Sequence, residues 1–362
     1  MLFSVEPKES LTDLFNREDE VRKFLQCVNT ERMIIVTGLR RIGKSSLVLA
    51  GLNSLNRGYT FVDVRKIYDS VSKRITPDKL YEEIHSSLIK ISKMYHLKDI
   101  LKRFDISLEY PIRISKKEEN IEKDLANMFS ALNEIGLNNK PIPIVFDEAQ
   151  YLRFSTVGLK PLLAHIYDYM KGLVLIFTGS EVGLLEDFLG VDDAKSELYG
   201  RYYCSIELKP FDEEKSKEFL KKGFEEFNVK VEDSLVNEAV NELDGIVGWL
   251  VYFGKLYLEK RRSDVIREVK ELGSRLVREE LRELVTKSQY YAYIMKAIAI
   301  LGNARWKNIM DYVITKTGRK VSNTTVSRDL KKLIKMGFIE KRNDEYRIPD
   351  PIIRYALLEE DI

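Results

Sequence analysis

Cysteine is nearly absent from these 362 residues: Cys27 and Cys204 stand alone and far apart. With no second pair, nothing suggests a disulfide framework or a cysteine zinc site, and a reducing compartment fits best. Histidine is almost as scarce. His85, His96 and His165 share no metal-ligand spacing, and each falls in a stretch that reads as helix. No apolar run approaches the roughly 18 residues of a membrane span, and the opening MLFSVEPKES carries charge where a signal peptide needs apolar residues. The expectation is a cytoplasmic protein that does not engage a membrane. Nor is either charge in excess: 59 Lys and Arg stand against 57 Asp and Glu, a formal net charge of +2. That excludes a polybasic coat, so any nucleic-acid surface must be local. Repeats and low-complexity tracts are missing as well. What is abundant is charge of both signs, 32% of residues against about 25% in an average domain, which implies a heavily ion-paired surface. At about 150 residues per domain, the length accommodates two or three domains.

Short apolar runs begin at Met33, Tyr59, Pro141, Leu173 and Tyr203, separated by stretches with helical spacing. The central runs are almost continuously apolar, as strands covered on both faces by helices must be. The reading is α/β: a three-layer phosphate-loop core with a parallel sheet over residues 1–209. Helices are expected around 76–95, where Pro77 sits in the first turn, and around 118–136, after an exposed charged connection at 116–120. From Pro210 helical periodicity is nearly unbroken, which predicts a helical lid over 210–287. The remainder, 288–362, reads as three short helices and a hairpin. Between 288 and 350 there are 13 Lys or Arg against 6 Asp or Glu, so basic charge concentrates there.

Gly38-Leu39-Arg40-Arg41-Ile42-Gly43-Lys44-Ser45 fits G-x-x-x-x-G-K-[ST] between a strand and a helix. In such a loop the glycines permit close wrapping, and backbone N–H groups through Ser46 meet phosphate oxygens at a helix N-terminus. Lys44 bridges the outer phosphates, and the Ser45 hydroxyl faces Mg²⁺. Ile144-Val145-Phe146-Asp147-Glu148 supplies the second acid: Asp147 for the metal, Glu148 to orient or deprotonate the attacking water. ATP and ADP, with Mg²⁺, are the implied ligands, and hydrolysis is expected. The fourth run ends Thr178-Gly179-Ser180, where the Ser180 hydroxyl suits the γ-phosphate or its water. Arg201, just before the fifth run, is either a charge-stabilising finger or a surface arginine; residue chemistry favours neither.

With these motifs in this order, the chain resembles the archaeal ATPase family of phosphate-loop proteins, a branch of the AAA+ and STAND-like ATPases. Phe15-Asn16-Arg17-Glu18-Asp19-Glu20 is similar to its opening F-x-R-E-x-E segment, which implies that Phe15 and Arg17 lie at the adenine. Asn16 replaces the usual glycine, and it tolerates the left-handed backbone that a glycine would serve. Leu198-Tyr199-Gly200-Arg201 is similar to an L-Y-G-R segment, implying a functional Arg201 acting in cis or across a subunit interface. Gly245-Ile246-Val247-Gly248-Trp249-Leu250 resembles G-x-P-G-W-L, with Val247 in place of the base-facing proline.

The tail resembles the winged helix-turn-helix that ends many members. It places Arg328, Lys331 and Lys332 on a recognition helix, and Lys341 and Arg342 on a wing whose tip is Asn343-Asp344-Glu345. The implied partner is duplex DNA, or a protein if the module serves interaction or autoinhibition. Two functions fit: a nucleotide-driven switch, or a DNA-binding regulator akin to replication initiators with nucleotide as a structural ligand. The oligomeric state stays open.

Overall fold

The computed structural model describes residues 1–104, 106 and 118–359, so part of the charged connection at 116–120 lies outside the described residues. Five strands, β1 (Met33–Gly38), β2 (Thr60–Asp63), β3 (Ile142–Asp147), β4 (Leu173–Gly179) and β5 (Cys204–Leu208), form a parallel sheet ordered β2-β3-β4-β1-β5. β1, β3 and β4 are buried along their whole length, in keeping with their almost continuously apolar sequences. Edge strand β5 alternates buried and exposed.

Alternate strand residues divide between two cores, as the two-residue period dictates. Met33, Ile35, Phe146 and Phe177 pack with helices Pro77–Met94, Glu118–Asn138 and Leu159–Tyr169. Ile34, Val36, Val145 and Ile176 pack with helices Glu18–Thr30 and Lys44–Ser54. The result is the expected three layers, with β1 between β4 and β5. The loop leaving β1 therefore opens at the carboxyl edge of the sheet, where this architecture gathers ligands.

Four helices, Glu213–Glu225, Asp233–Leu243, Val247–Lys260 and Val265–Lys287, follow β5 and share one apolar core with the tail. The tail comprises helices Gln289–Leu301, Trp306–Thr317 and Asn323–Lys335. Strands β6 (Ala304–Arg305), β7 (Glu340–Arg342) and β8 (Glu345–Arg347) form its antiparallel sheet. Asn343 and Asp344 turn the wing with φ of 47° and 64°, left-handed values these two residue types tolerate. A last helix, Pro351–Glu359, which the sequence reading lacks, returns to the lid core. There the buried Trp249 indole donates to Asp350 Oδ1 at 3.0 Å.

Two expectations need correction. Cys27 and Cys204 are joined by a disulfide that ties helix Glu18–Thr30 to the start of β5. Distance along the chain hid the pairing, because the sheet order brings β5 beside β1 and under that helix. His96 is not helical. It occupies the turn after helix Pro77–Met94, with φ of 56°. Among the described residues, no helix is long and apolar enough to cross a membrane.

Candidate functional site

β1 ends at Gly38, and Gly43 caps helix Lys44–Ser54 in left-handed conformation. A Cβ on Gly38 would lie 2.5 Å from the Leu208 carbonyl oxygen, so the loop fits against β5 only with glycine there. Arg41 also has positive φ, 63°, and is held from the lid: Gly248 N–H donates to its carbonyl at 2.9 Å, and its guanidinium lies 4.5 Å from the Trp249 ring. Lys44 is buried and donates to the carbonyls of Gly38 and Leu39 at 3.1 and 2.9 Å. Burial lowers its pKa, against the pull of Glu148 and Asp147.

β3 delivers two adjacent carboxylates into different surroundings. Asp147 accepts from Ser45 Oγ at 2.9 and 3.0 Å and from Thr178 Oγ1. Burial raises its pKa against these hydrogen bonds, and Glu148 raises it further. Glu148 leaves the strand at φ 53°, ψ 48°, which turns its carboxylate toward β4. Its Oε2 accepts from Gln150 Nε2 and Ser180 Oγ, both at 2.7 Å, and from Ser180 N at 3.2 Å, while Oε1 lies 4.0 Å from Lys44 Nζ. Burial pushes Glu148 up, but Lys44 and the bonds from Gln150 and Ser180 outweigh it and bring the pKa down to about 2. The arrangement pairs a firmly ionised carboxylate with one that burial holds back. Asp147 and the Ser45 hydroxyl are hard oxygen donors suited to a divalent cation whose other positions phosphate and water fill. Among the described residues, no cluster of three His, Cys, Asp or Glu could hold a metal unaided.

A cavity of about 390 Å³ runs from this loop to the lid. Lys44, Ser45 and Ser46 line one end; Phe15, Arg17, Phe211 and Val247 line the other. Phe15 packs edge-on against Phe211 and Phe219, with ring centroids 5.7 and 5.5 Å apart. Arg17 donates to the Lys209 carbonyl at 2.8 Å and lies over Phe211. Asn16 has φ 50°, the left-handed value its residue type allows. Anion-binding loop at one end and aromatic wall at the other fit a nucleotide's two chemistries.

Over residues 14–253 the chain matches the family described as an ATPase domain predominantly from Archaea. The chain belongs to that ATPase family. Residues 286–349 match the winged helix-turn-helix domain found at the C-terminus of MCM proteins. Among solved structures, the Walker-type ATPase PABY2304 of Pyrococcus abyssi is 37% identical over 99% of this chain and 100% of its own, with a TM-score of 0.86. The ORC2 protein of Aeropyrum pernix, in ADPNP-ADP complexes, shares the fold at 13% identity and a TM-score of 0.61, covering 98% of this chain and 96% of its own. No curated protein matches by sequence.

In this ATPase the phosphate loop, Asp147, Glu148 and Ser180 converge, but Arg201 stands apart. It precedes β5 and so lies at the amino edge of the parallel sheet, opposite the loop, with Nη2 2.6 Å from Asp168 Oδ2. Arg328, Lys331, Lys332, Lys341 and Arg342 are exposed on the winged unit. Arg328 pairs with Asp329, Lys341 with Asp344, and Arg342 with Glu340. Sequence reasoning missed the surroundings of Arg40. Its guanidinium pairs with Glu181 at 2.6 Å and with Glu280, and lies 5.3 Å from the Phe338 ring. Lys335 reads from the sequence as part of the recognition helix and its flanks, but its pairing with Asp187 at 2.7 Å does not. Only Gln150, two residues beyond Glu148, carried a local signal.

Proposed function

We propose that this ATPase is a nucleotide-driven switch of the STAND type, in which units 1–209, 210–287 and 288–362 exchange contacts as ATP is bound and hydrolysed. The observation that carries the reading is the clamp on Arg40. One arginine of the phosphate loop is held by Glu181 beyond β4, Glu280 of the lid and Phe338 of the winged unit. An anion at the loop competes for that guanidinium, so nucleotide and interdomain contacts draw on the same charge.

In this reading the backbone from Gly38 to Ser46 binds phosphate, Phe15 and Arg17 receive the base, and Ser45 with Asp147 would hold Mg²⁺. The ion, when bound, neutralises phosphate charge. Lys44, drawn from the loop carbonyls toward the γ-phosphate, leaves Glu148 without its nearest cation. The carboxylate, a weak base at a pKa of about 2, thereby becomes a stronger one as substrate arrives. Ser180 positions it toward the attacking water. Arg201, remote from its own loop, acts only if a second copy presents its nucleotide there.

Lys44→Ala should abolish ATP binding, whereas Glu148→Gln should retain ATP and lose turnover by at least about 10²-fold. Equal loss of binding in both variants sinks the assignment. The second reading, a duplex-DNA regulator or initiator-like protein with structural nucleotide, draws support from the exposed basic residues of the winged unit. It predicts duplex affinity that falls steeply with salt, ignores nucleotide, and is lost when Arg328, Lys331 and Lys332 are neutralised.

A further inference from the structure

Behind Glu148 lies a second cavity of about 360 Å³. It shares Arg40, Arg65, Glu148 and Glu280 with the nucleotide cavity, so these residues form a common wall. Its remaining lining is cationic where it is charged, except for Glu181: Lys73, Arg153 and Lys287 join Arg65 there. Glu181 is already engaged by Arg40 and Arg153. Among the described residues neither Lys73 nor Lys287 makes a salt bridge within 4 Å, although the charge of Lys287 also acts on Glu181. Met336 and Phe338 of the winged unit, with Leu284 of the lid, also line the cavity, Phe338 beside Arg40 of the common wall.

We infer that this cavity receives the inorganic phosphate cut from ATP and holds it until the winged unit moves. The inference rests on the proposed role of Glu148. Hydrolysis joins a water oxygen to the γ-phosphorus and breaks the bond to the bridging oxygen, whose electron pair leaves with ADP. The water's proton passes through Glu148 to the phosphate. Water aligned by Glu148 attacks from the side opposite ADP, so inversion carries the new phosphate toward that wall. Two neighbours then set its direction. Ionised Glu148 repels the dianion, and Lys73, Lys287 and Arg65 attract it across a space that fits several water-sized groups. Because Phe338 both lines the cavity and lies over Arg40, departure of phosphate is tied to the seating of the winged unit.

Single turnovers of the full chain test this, with acid quench reading cleavage and a fluorescent phosphate-binding protein reading free phosphate. In the unaltered protein, free phosphate should lag cleavage, and added inorganic phosphate should inhibit turnover. Lys73→Gln with Lys287→Gln should leave cleavage unchanged while shortening the lag and weakening phosphate inhibition about fivefold, equivalent to about 1 kcal/mol. Phe338→Ala, which removes the winged unit's ring from the lining and from Arg40, should shorten the lag as well. Phosphate freed as fast as it is cut, a lag untouched by both variants, or the same effect from Lys331→Gln with Lys332→Gln would overturn the inference. Continued cleavage by Glu148→Gln would instead overturn the role of Glu148, so the two readings fail separately.

Discussion

Asp147 and Glu148 are neighbours whose environments push them in opposite directions, and the consequences for stability differ in sign. Glu148 has a folded pKa of about 2 against an ordinary 4.5, so its contribution is present above 4.5 and is lost as pH falls toward 2. Ser180→Ala removes a hydrogen bond to that buried carboxylate, a loss of about 1–3 kcal/mol, and lets its pKa rise. Acid titration followed by circular dichroism should show unfolding at higher pH than in the unaltered protein. An unmoved midpoint would contradict the role of this hydrogen bond. Asp147, raised by burial, behaves oppositely: its stabilising share is present at low pH and lost as pH rises through the folded pKa. Asp147→Asn should therefore raise the Tm of the nucleotide-free protein near neutrality, by about 2 °C per kcal/mol regained, while turnover collapses. Calorimetry showing a fall would count against a buried-charge penalty. These groups were legible in the sequence because they sit within single motifs. The opposed pKa shifts were not, since Thr178 and Ser180 come from another strand and Lys44 from another loop.

Among elements, the sheet and its helices were readable because continuous apolar runs and helical stripes repeat within a few residues. The bond between Cys27 and Cys204 spans a sequence separation of 177 and could be inferred only from strand order. Closing so long a loop restricts the unfolded chain by an amount equivalent to roughly 5 kcal/mol in the entropic account, an upper value. Cys27→Ser with Cys204→Ser, or reduction in denaturant followed by refolding, should lower the thermal midpoint by several degrees. Turnover per folded molecule should not change, because the bond lies toward the amino edge of β5, away from the phosphate loop. A melting curve indifferent to reductant would show that the bond carries no stability. Helix Pro351–Glu359 was missed for a related reason: Asp350, its capping carboxylate, makes sense only beside Trp249.

For the molecule as a whole, the winged unit is seated on the core. Lys335 reaches Asp187, and a Cβ on Gly183 would come within 2.8 Å of the Lys335 Cα. One end of the recognition helix is thus occupied, so in the proposed DNA-contacting reading nucleic-acid binding would compete with docking. Asp187→Ala should strengthen duplex binding about fivefold, or about 1 kcal/mol. It should also steepen the log–log salt dependence by about one, the mark of one added phosphate contact. Fluorescence anisotropy across a salt series would read both, and identical curves would deny the competition. The lid is constrained differently. Phe3 fills a hollow against Gly223 and Gly254 where neither could carry a Cβ, while Arg17, farther along the same segment, bonds the Lys209 carbonyl where the chain leaves the core. The N-terminal segment and the chain leaving β5 therefore each cross between core and lid once, at neighbouring points. A body hung on two adjacent pins swings about the line through them and resists both twist and slide. Each opening of the nucleotide cleft should retrace one arc, so a pair of distance probes placed across it would report a single coordinate.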